Sequence, residues 1–279
     1  MNLHDWTIDI GNSRTKWAAF SGEQMVQAGT WEDETSASIL AALTNLPPRA
    51  IILSTVAGAL APALEEEMRK RAPLLLLDEK TPLPFDNAYR TPATLGKDRL
   101  AAVAGAQAHY PGQHCLVIDA GTCITADFLE GGRVYRGGNI SPGVRMRLQA
   151  MHTFTARLPL VESVSVNPAH LLGDSTETAL RNGAVWGAVL ELEGLYRRLA
   201  QAYGAVQVVL TGGDSALLAS LWSEKTGGES EDTGEQRLAT TSEKTGSGAA
   251  GPGNAATYSI FVQPNLVLDG LKQILRYNV

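Results

Sequence analysis

The chain has 279 residues, 44% of them hydrophobic and 19% charged, which is enough apolar material for one large or two modest cored domains and excludes disorder throughout. Its formal charge of −6 comes from 23 basic and 29 acidic residues, so no global positive field exists to recruit nucleic acid or an anionic membrane. The first residues show no basic stretch followed by an apolar one, and no apolar run approaches the ~18 residues of a membrane span, so a soluble cytoplasmic protein without membrane or nucleic-acid partners is expected.

In chain order, strand-like runs fall at 6–10, 50–56, 73–77, 115–120, 205–211 and 258–262. Helix-like periodicity fills 36–46, 60–71, 97–110, 176–203, 215–222 and 266–277. This alternation predicts an α/β protein with mixed sheets flanked by helices. Two segments share one frame: Thr7-Ile-Asp9-Ile-Gly11-Asn-Ser-Arg-Thr15-Lys16 and Val117-Ile-Asp119-Ala-Gly121-Thr-Cys-Ile-Thr125 both read Ile-Asp-x-Gly-x-x-x-Thr. The offset is 110 residues, 119 minus 9. Each is an apolar strand that turns into a second strand, so the repeat predicts two related lobes, 1–115 and 116–279.

The stretch 223–257 consists almost wholly of Gly, Ser, Thr, Glu and Ala and repeats Ser-Glu-Lys-Thr-Gly at 223 and 242. Such composition predicts a disordered insertion in the second lobe. Its Gly246-Ser-Gly248-Ala-Ala-Gly251 matches a dinucleotide-binding glycine pattern, but no strand is expected before it and no helix after it, so the match reads as compositional. Cys115 and Cys123 lack metal-ligand spacing and are expected to be small core residues in a reducing compartment.

Four places carry candidate chemistry. The Asp-x-Gly turns at Asp9 and Asp119 suit phosphate, since a glycine lets oxyanions approach successive main-chain N–H groups, and Lys16 adds a charge; a plain hairpin turn is the structural alternative. Thr211-Gly212-Gly213-Asp214-Ser215 runs from a buried strand into a helix, offering main chain to a nucleoside or merely an N-cap at Asp214 or Ser215. Gly96-Lys97-Asp98-Arg99 opens a helix; Asp98 is placed either to take a proton from an alcohol or to complement the helix N-terminus, while Arg99 suits an anionic or hydroxylated substrate. Gly173-Asp174-Ser175-Thr176-Glu177 reads as a cap with Asp174 at its head. No Walker-type or protein-kinase glycine loop is present, so phosphate would be handled by the paired hairpins.

Together and in this order, these motifs resemble the type III pantothenate kinases, which belong to the acetate and sugar kinase/Hsp70/actin superfamily; the likeness runs from about Thr7 to Ile274, apart from the insertion. The resemblance implies duplicated actin/hexokinase-like lobes of ribonuclease H-like topology. It implies phosphorylation of pantothenate by ATP with Mg²⁺, the first step of coenzyme A biosynthesis. Asp9, Ile10, Gly11, Asn12, Ser13, Arg14, Thr15 and Lys16 resemble the first phosphate motif, and Asp119 to Thr122 the second, in which the aspartate binds a monovalent cation (K⁺ or NH₄⁺) and Thr122 touches ATP. Thr211-Gly212-Gly213 resembles the adenosine motif. Asp98 corresponds to the proton acceptor, and Gly96, Lys97, Asp98, Arg99 and Tyr89 to the pantothenate-binding set. Thr176 is similar to a threonine that reaches pantothenate from the neighbouring subunit, implying a homodimer with shared active sites. The departure is the insertion after Trp222, beside the adenosine motif. Rival readings are another small-alcohol kinase of this fold and a non-catalytic nucleotide-binding accessory factor.

Overall fold

The computed structural model describes residues 3–11, 14–31, 36–56, 60–224, 242–247 and 257–279. The chain separates into two compact units: Met1–Gly112 with Gly132–Arg136 and Asn265–Val279, and Gln113–Gly131 with Gly137–Pro264.

In the first unit, β1 (His4–Ile10), β2 (Thr15–Ser21) and β3 (Gln24–Trp31) form an antiparallel meander. After α1 (Ser36–Asn45), β4 (Pro48–Thr55) returns parallel to β1; α2 (Pro62–Arg71) then leads to β5 (Leu74–Leu76), parallel to β4. The sheet order is β3-β2-β1-β4-β5. One face packs on α1 and α2: Trp6, Ile8, Trp17, Ile51 and Leu53 meet Ile39, Leu43, Leu64 and Met68 in one buried cluster. Trp17 stacks between Trp6 and Trp31 at centroid separations of 4.8 and 5.3 Å. Because side chains alternate along a strand, the intervening residues Asp9, Lys16, Ile52 and Ser54 belong to the opposite face.

That opposite face carries α3 (Lys97–His109) and the last helix, numbered α7 (Leu266–Asn278), both of which pack on β4. A two-residue strand β6 (Asp86–Asn87) and a 3₁₀ turn, Pro92–Thr94, precede α3. The two helices cross at main-chain contact. A Cβ on Gly105 would stand 2.3 Å from the Leu266 carbonyl oxygen, and one on Gly270 1.7 Å from that of Ala101. Every residue from Arg99 to Ala106 is buried, so over this stretch α3 is enclosed on all sides and shows no amphipathic stripe.

The second unit repeats the plan. β7 (His114–Ala120) pairs antiparallel with β8 (Cys123–Glu130), which neighbours β9 (Val134–Pro142). After α4 (Val144–Thr153) and the 28-residue α5 (Thr176–Tyr203), β10 (Val206–Thr211) lies parallel to β7. Then α6 (Ser215–Glu224), β11 (Ser242–Ser247) and β12 (Thr257–Val262) follow, with β12 parallel to β10. The sheet order is β11-β12-β10-β7-β8-β9-β6. Thus β9-β8-β7-β10-β12 mirrors β3-β2-β1-β4-β5, and the repeated Ile-Asp-x-Gly frame occupies the same inner hairpin in both sheets. This is the duplicated actin-like arrangement of mixed sheets flanked by helices.

Three local expectations need correction. The segment 223–257 is not wholly without structure: Ser223 and Glu224 close α6, Ser242–Ser247 forms an edge strand antiparallel to β12, and Thr257 opens β12. An edge strand is held by main-chain hydrogen bonds to its neighbour and needs no apolar core of its own. The remaining expectation, for 225–241 and 248–256, lies outside the described residues. Cys115 is buried, which pushes its thiol up to about 12, but Cys123 is exposed because it starts β8 at the mouth of the turn. At α5 the N-cap is Ser175, not Asp174. Thr178 completes the box, its hydroxyl accepting from the Ser175 N–H at 2.9 Å while Ser175 Oγ accepts from the Thr178 N–H at 3.3 Å. Among the described residues no helix is long and apolar enough to cross a membrane.

Candidate active site

The first hairpin closes where the Gly11 N–H donates to the Arg14 carbonyl at 3.1 Å; Asn12 and Ser13 lie outside the described residues. Ile10 and Thr15 are buried on either side of the turn, and Arg14 is exposed. Asp9 stands opposite Lys16 on β2 and Ser54 on β4, so Lys16, Asp9 and Ser54 form one polar row across three strands. Ser54 is wholly buried, and its Oγ has no hydrogen-bond partner among the described residues. Sequence reading did not single it out, because its only signal is a small hydroxyl residue near the end of an apolar strand.

The second hairpin differs by one residue. Asp9 pairs with the residue seven positions on, Lys16, whereas Asp119 pairs with the residue six positions on, Thr125. The shorter turn is closed by Gly121 N–H donating to the Cys123 carbonyl at 3.0 Å. On its other side Asp119 is level with Thr211 of β10. Gly212 follows with φ of +92°, and a Cβ there would lie 2.4 Å from Asp119 Oδ1 and 2.5 Å from the Ala120 carbonyl. Only glycine both adopts this left-handed conformation cheaply and lets the two motifs touch. Gly143 is constrained likewise: its Cβ would meet the Gly121 and Thr122 carbonyls at 2.2 and 2.5 Å. Asp214 N–H donates to Ala120 at 2.9 Å, and the Asp214 carboxylate pairs with Arg145 of α4 at 2.7 Å. Thr122 is exposed at the turn.

Gly96, Lys97, Asp98 and Arg99 open α3, with Gly96 as the N-cap residue. Asp98 is half-buried, and its Oδ1 accepts from the Arg99 N–H at 2.9 Å. That carboxylate fills the space beside Gly96, where a Cβ would come within 2.4 Å of it. Arg99 is buried, its guanidinium carbon 5.7 Å from the Tyr89 ring centre, a cation–π distance. Tyr89 in turn stacks on the buried Tyr135 at 6.1 Å and 19°. Tyr135 went unnoticed in the sequence because it comes from β9, far along the chain. The Lys97 ammonium is shielded from solvent and has no hydrogen-bond partner among the described residues, a costly state for a charge unless an anion joins it.

Thr176 is exposed, the first residue of α5. Beside it, a cavity of about 450 Å³ is lined by Asn167, His170, Asp174, Thr178, Arg181 and Asn182 among others, and includes no residue of either Asp-x-Gly hairpin. Among the described residues no cluster of three or more His, Cys, Asp or Glu side chains is placed to hold a metal.

Comparison with known proteins gives a consistent answer. A family model described as type III pantothenate kinase matches residues 6–198. A type III pantothenate kinase of Bacteroides fragilis is 43% identical over 214 residues, covering 77% of this chain and 86% of its own length. That of Cytophaga hutchinsonii is 34% identical over 272 residues, covering 98% of both. Among solved structures, the activator of 2-hydroxyisocaproyl-CoA dehydratase from Clostridium difficile, with bound ADPNP, superposes with a TM-score of 0.51 at 13% identity, covering 98% of this chain and 95% of its own. At that identity the likeness is one of fold.

Proposed function

Since the chain belongs to the type III pantothenate kinase family and so phosphorylates pantothenate with ATP and Mg²⁺ in coenzyme A biosynthesis, we propose that the transfer is run by residues of the two hairpins and of the start of α3. Asp98 accepts the proton of the primary hydroxyl. The observation that carries this role is its placement: a half-buried carboxylate held by the Arg99 N–H, next to a cation–π pair that can clamp a polar substrate.

Arg99 and Tyr89 position pantothenate, with Gly96 leaving room for the carboxylate of Asp98. Lys97 supplies the counter-charge for the substrate's own carboxylate, which its buried, unpartnered ammonium favours. ATP is bound by Asp9, Ile10, Gly11, Asn12, Ser13, Arg14, Thr15 and Lys16 and by Thr122, whose turns offer main-chain N–H groups and one lysine to the phosphates. Mg²⁺ adds neutralisation of charge on the transferring phosphoryl group. Asp119 holds a monovalent cation, K⁺ or NH₄⁺, and Gly212 keeps the adenosine motif against it. Positioning and charge stabilisation dominate such a transfer, because it asks for little covalent chemistry.

Thr176 completes the site of a second copy in a homodimer; its exposure at the head of α5 suits a contact outside its own chain. The enzyme works in the cytoplasm. Phosphorylation of pantothenate and of a panel of other primary alcohols should be measured with ATP, with K⁺ present and omitted. Pantothenate should be preferred and K⁺ required. Asp98→Asn should cut kcat by a factor on the order of 10² or more with nucleotide affinity nearly unchanged. An unaltered kcat would return Asp98 to a purely helix-capping role.

A further inference from the structure

The hydroxyl of Ser54 is 0% exposed and has no hydrogen-bond partner among the described residues. Leaving a buried polar group unpaired costs roughly 1–3 kcal/mol relative to an apolar one, and such groups persist where a ligand supplies the missing bond. Ser54 is the last but one residue of β4, on the face that carries α3, and is level with Asp9 in the parallel register. Ligands in open α/β sheets sit beyond the carboxyl ends of the strands, where Ser54 lies.

The second lobe repeats this geometry. There the β7 aspartate, Asp119, is level with the last residue of β10, Thr211, which opens the adenosine motif. Ser54 and Thr211 are therefore duplicate positions: a hydroxyl on the strand parallel to, and in register with, the aspartate of the phosphate hairpin. One member of this pair already stands in a motif. The other has been left with an unsatisfied hydroxyl.

We propose that Ser54 is a positioning residue for the metal–nucleotide complex, its hydroxyl and the Asp9 carboxylate together holding one water of the hydrated Mg²⁺ that accompanies ATP. A hydroxyl and a carboxylate side by side suit a hydrated dication, whose bound water donates to both oxygens. This assignment rests on Asp9 belonging to the nucleotide site.

The test is calorimetric titration of ADP with and without Mg²⁺ on wild type, Ser54→Ala and Asp9→Asn, with thermal unfolding of each ligand-free protein. For Ser54→Ala, metal-free ADP affinity should match wild type. The gain in affinity that Mg²⁺ confers should fall about tenfold, the size of one hydrogen bond within a charged assembly. The ligand-free variant should melt at or above the wild-type temperature, since an unsatisfied buried hydroxyl has been removed. A Mg²⁺ gain within twofold of wild type, or a lowered melting temperature revealing an internal partner for the hydroxyl, overturns the role of Ser54. If Asp9→Asn also keeps the full Mg²⁺ gain, the assignment of Asp9 to the nucleotide site has failed as well.

Discussion

At the residue scale, the site depends on glycines as spacers for carboxylates. Gly96 has no side chain where Asp98 Oδ1 lies, and a methyl there would come within 2.4 Å of that oxygen. The carboxylate is the movable partner, so Gly96→Ala should rotate it away while leaving α3 in place. We expect kcat to fall by about 10²-fold, the scale of a 1 Å misplacement, with the melting temperature and the KM for ATP close to wild type. Steady-state kinetics and thermal unfolding on one preparation decide it, and wild-type kcat would mean that the seated rotamer of Asp98 is not the reactive one. Glycine requirements of this kind are legible in a sequence because the residue itself is the signal: Gly11, Gly96, Gly121 and Gly212 all mark close approaches or tight turns. Ser54 and Tyr135 were not legible. Each is an ordinary strand residue whose meaning arises only when β4 lies beside β1 and the start of β9 brings an aromatic ring under Tyr89.

At the scale of elements, the placement of Asp98 is inherited from a helix crossing. The contact of α3 with α7 is main chain to main chain at Gly105 and Gly270, a geometry that any Cβ forces apart. Gly270→Ala places a methyl 1.7 Å from the Ala101 carbonyl, with no flexible side chain to yield. Overpacking of this sort costs typically 1–3 kcal/mol. Chemical denaturation should show a midpoint lowered accordingly, and kcat should fall too, because the head of α3 moves with its axis; an unchanged midpoint would mean that the crossing is loose. The long elements were readable from periodicity, α5 to the residue at both ends, because an apolar stripe and strong caps agree. Short elements were harder to read. β6 has two residues, α4 follows a turn-rich stretch, and β11 is held by pairing to β12, a long-range contact that composition does not encode. The cap of α5 slipped by one residue for a related reason. Asp174, Ser175 and Thr178 compete for the same donors, and geometry gives the N–H of Thr178 to Ser175 and the hydroxyl of Thr178 to the Asp174 carboxylate at 3.1 Å.

At the scale of the whole molecule, duplication supplies two Asp-x-Gly hairpins, proposed to hold the phosphates, and the proposed homodimer would add Thr176 from a second copy. The capping geometry makes that idea testable without harming the fold. Ser175 and Thr178 cap α5, while Thr176 is exposed, so Thr176→Val removes a hydroxyl that the helix does not use. If each active site takes Asp98 from one chain and Thr176 from the other, Asp98→Asn and Thr176→Val are each nearly inactive alone. In a mixed dimer both defects fall in one site and the other site is wild type. With equal amounts and random exchange, half the dimers are mixed and each holds one good site of two, so about one quarter of wild-type activity should return. Subunit exchange is verified separately with differently tagged chains and native mass spectrometry. Recovered activity that rises with the fraction of mixed dimers supports shared sites. Exchange without recovery, or a Thr176→Val enzyme that is fully active by itself, removes Thr176 from the active site and leaves each chain to complete its own.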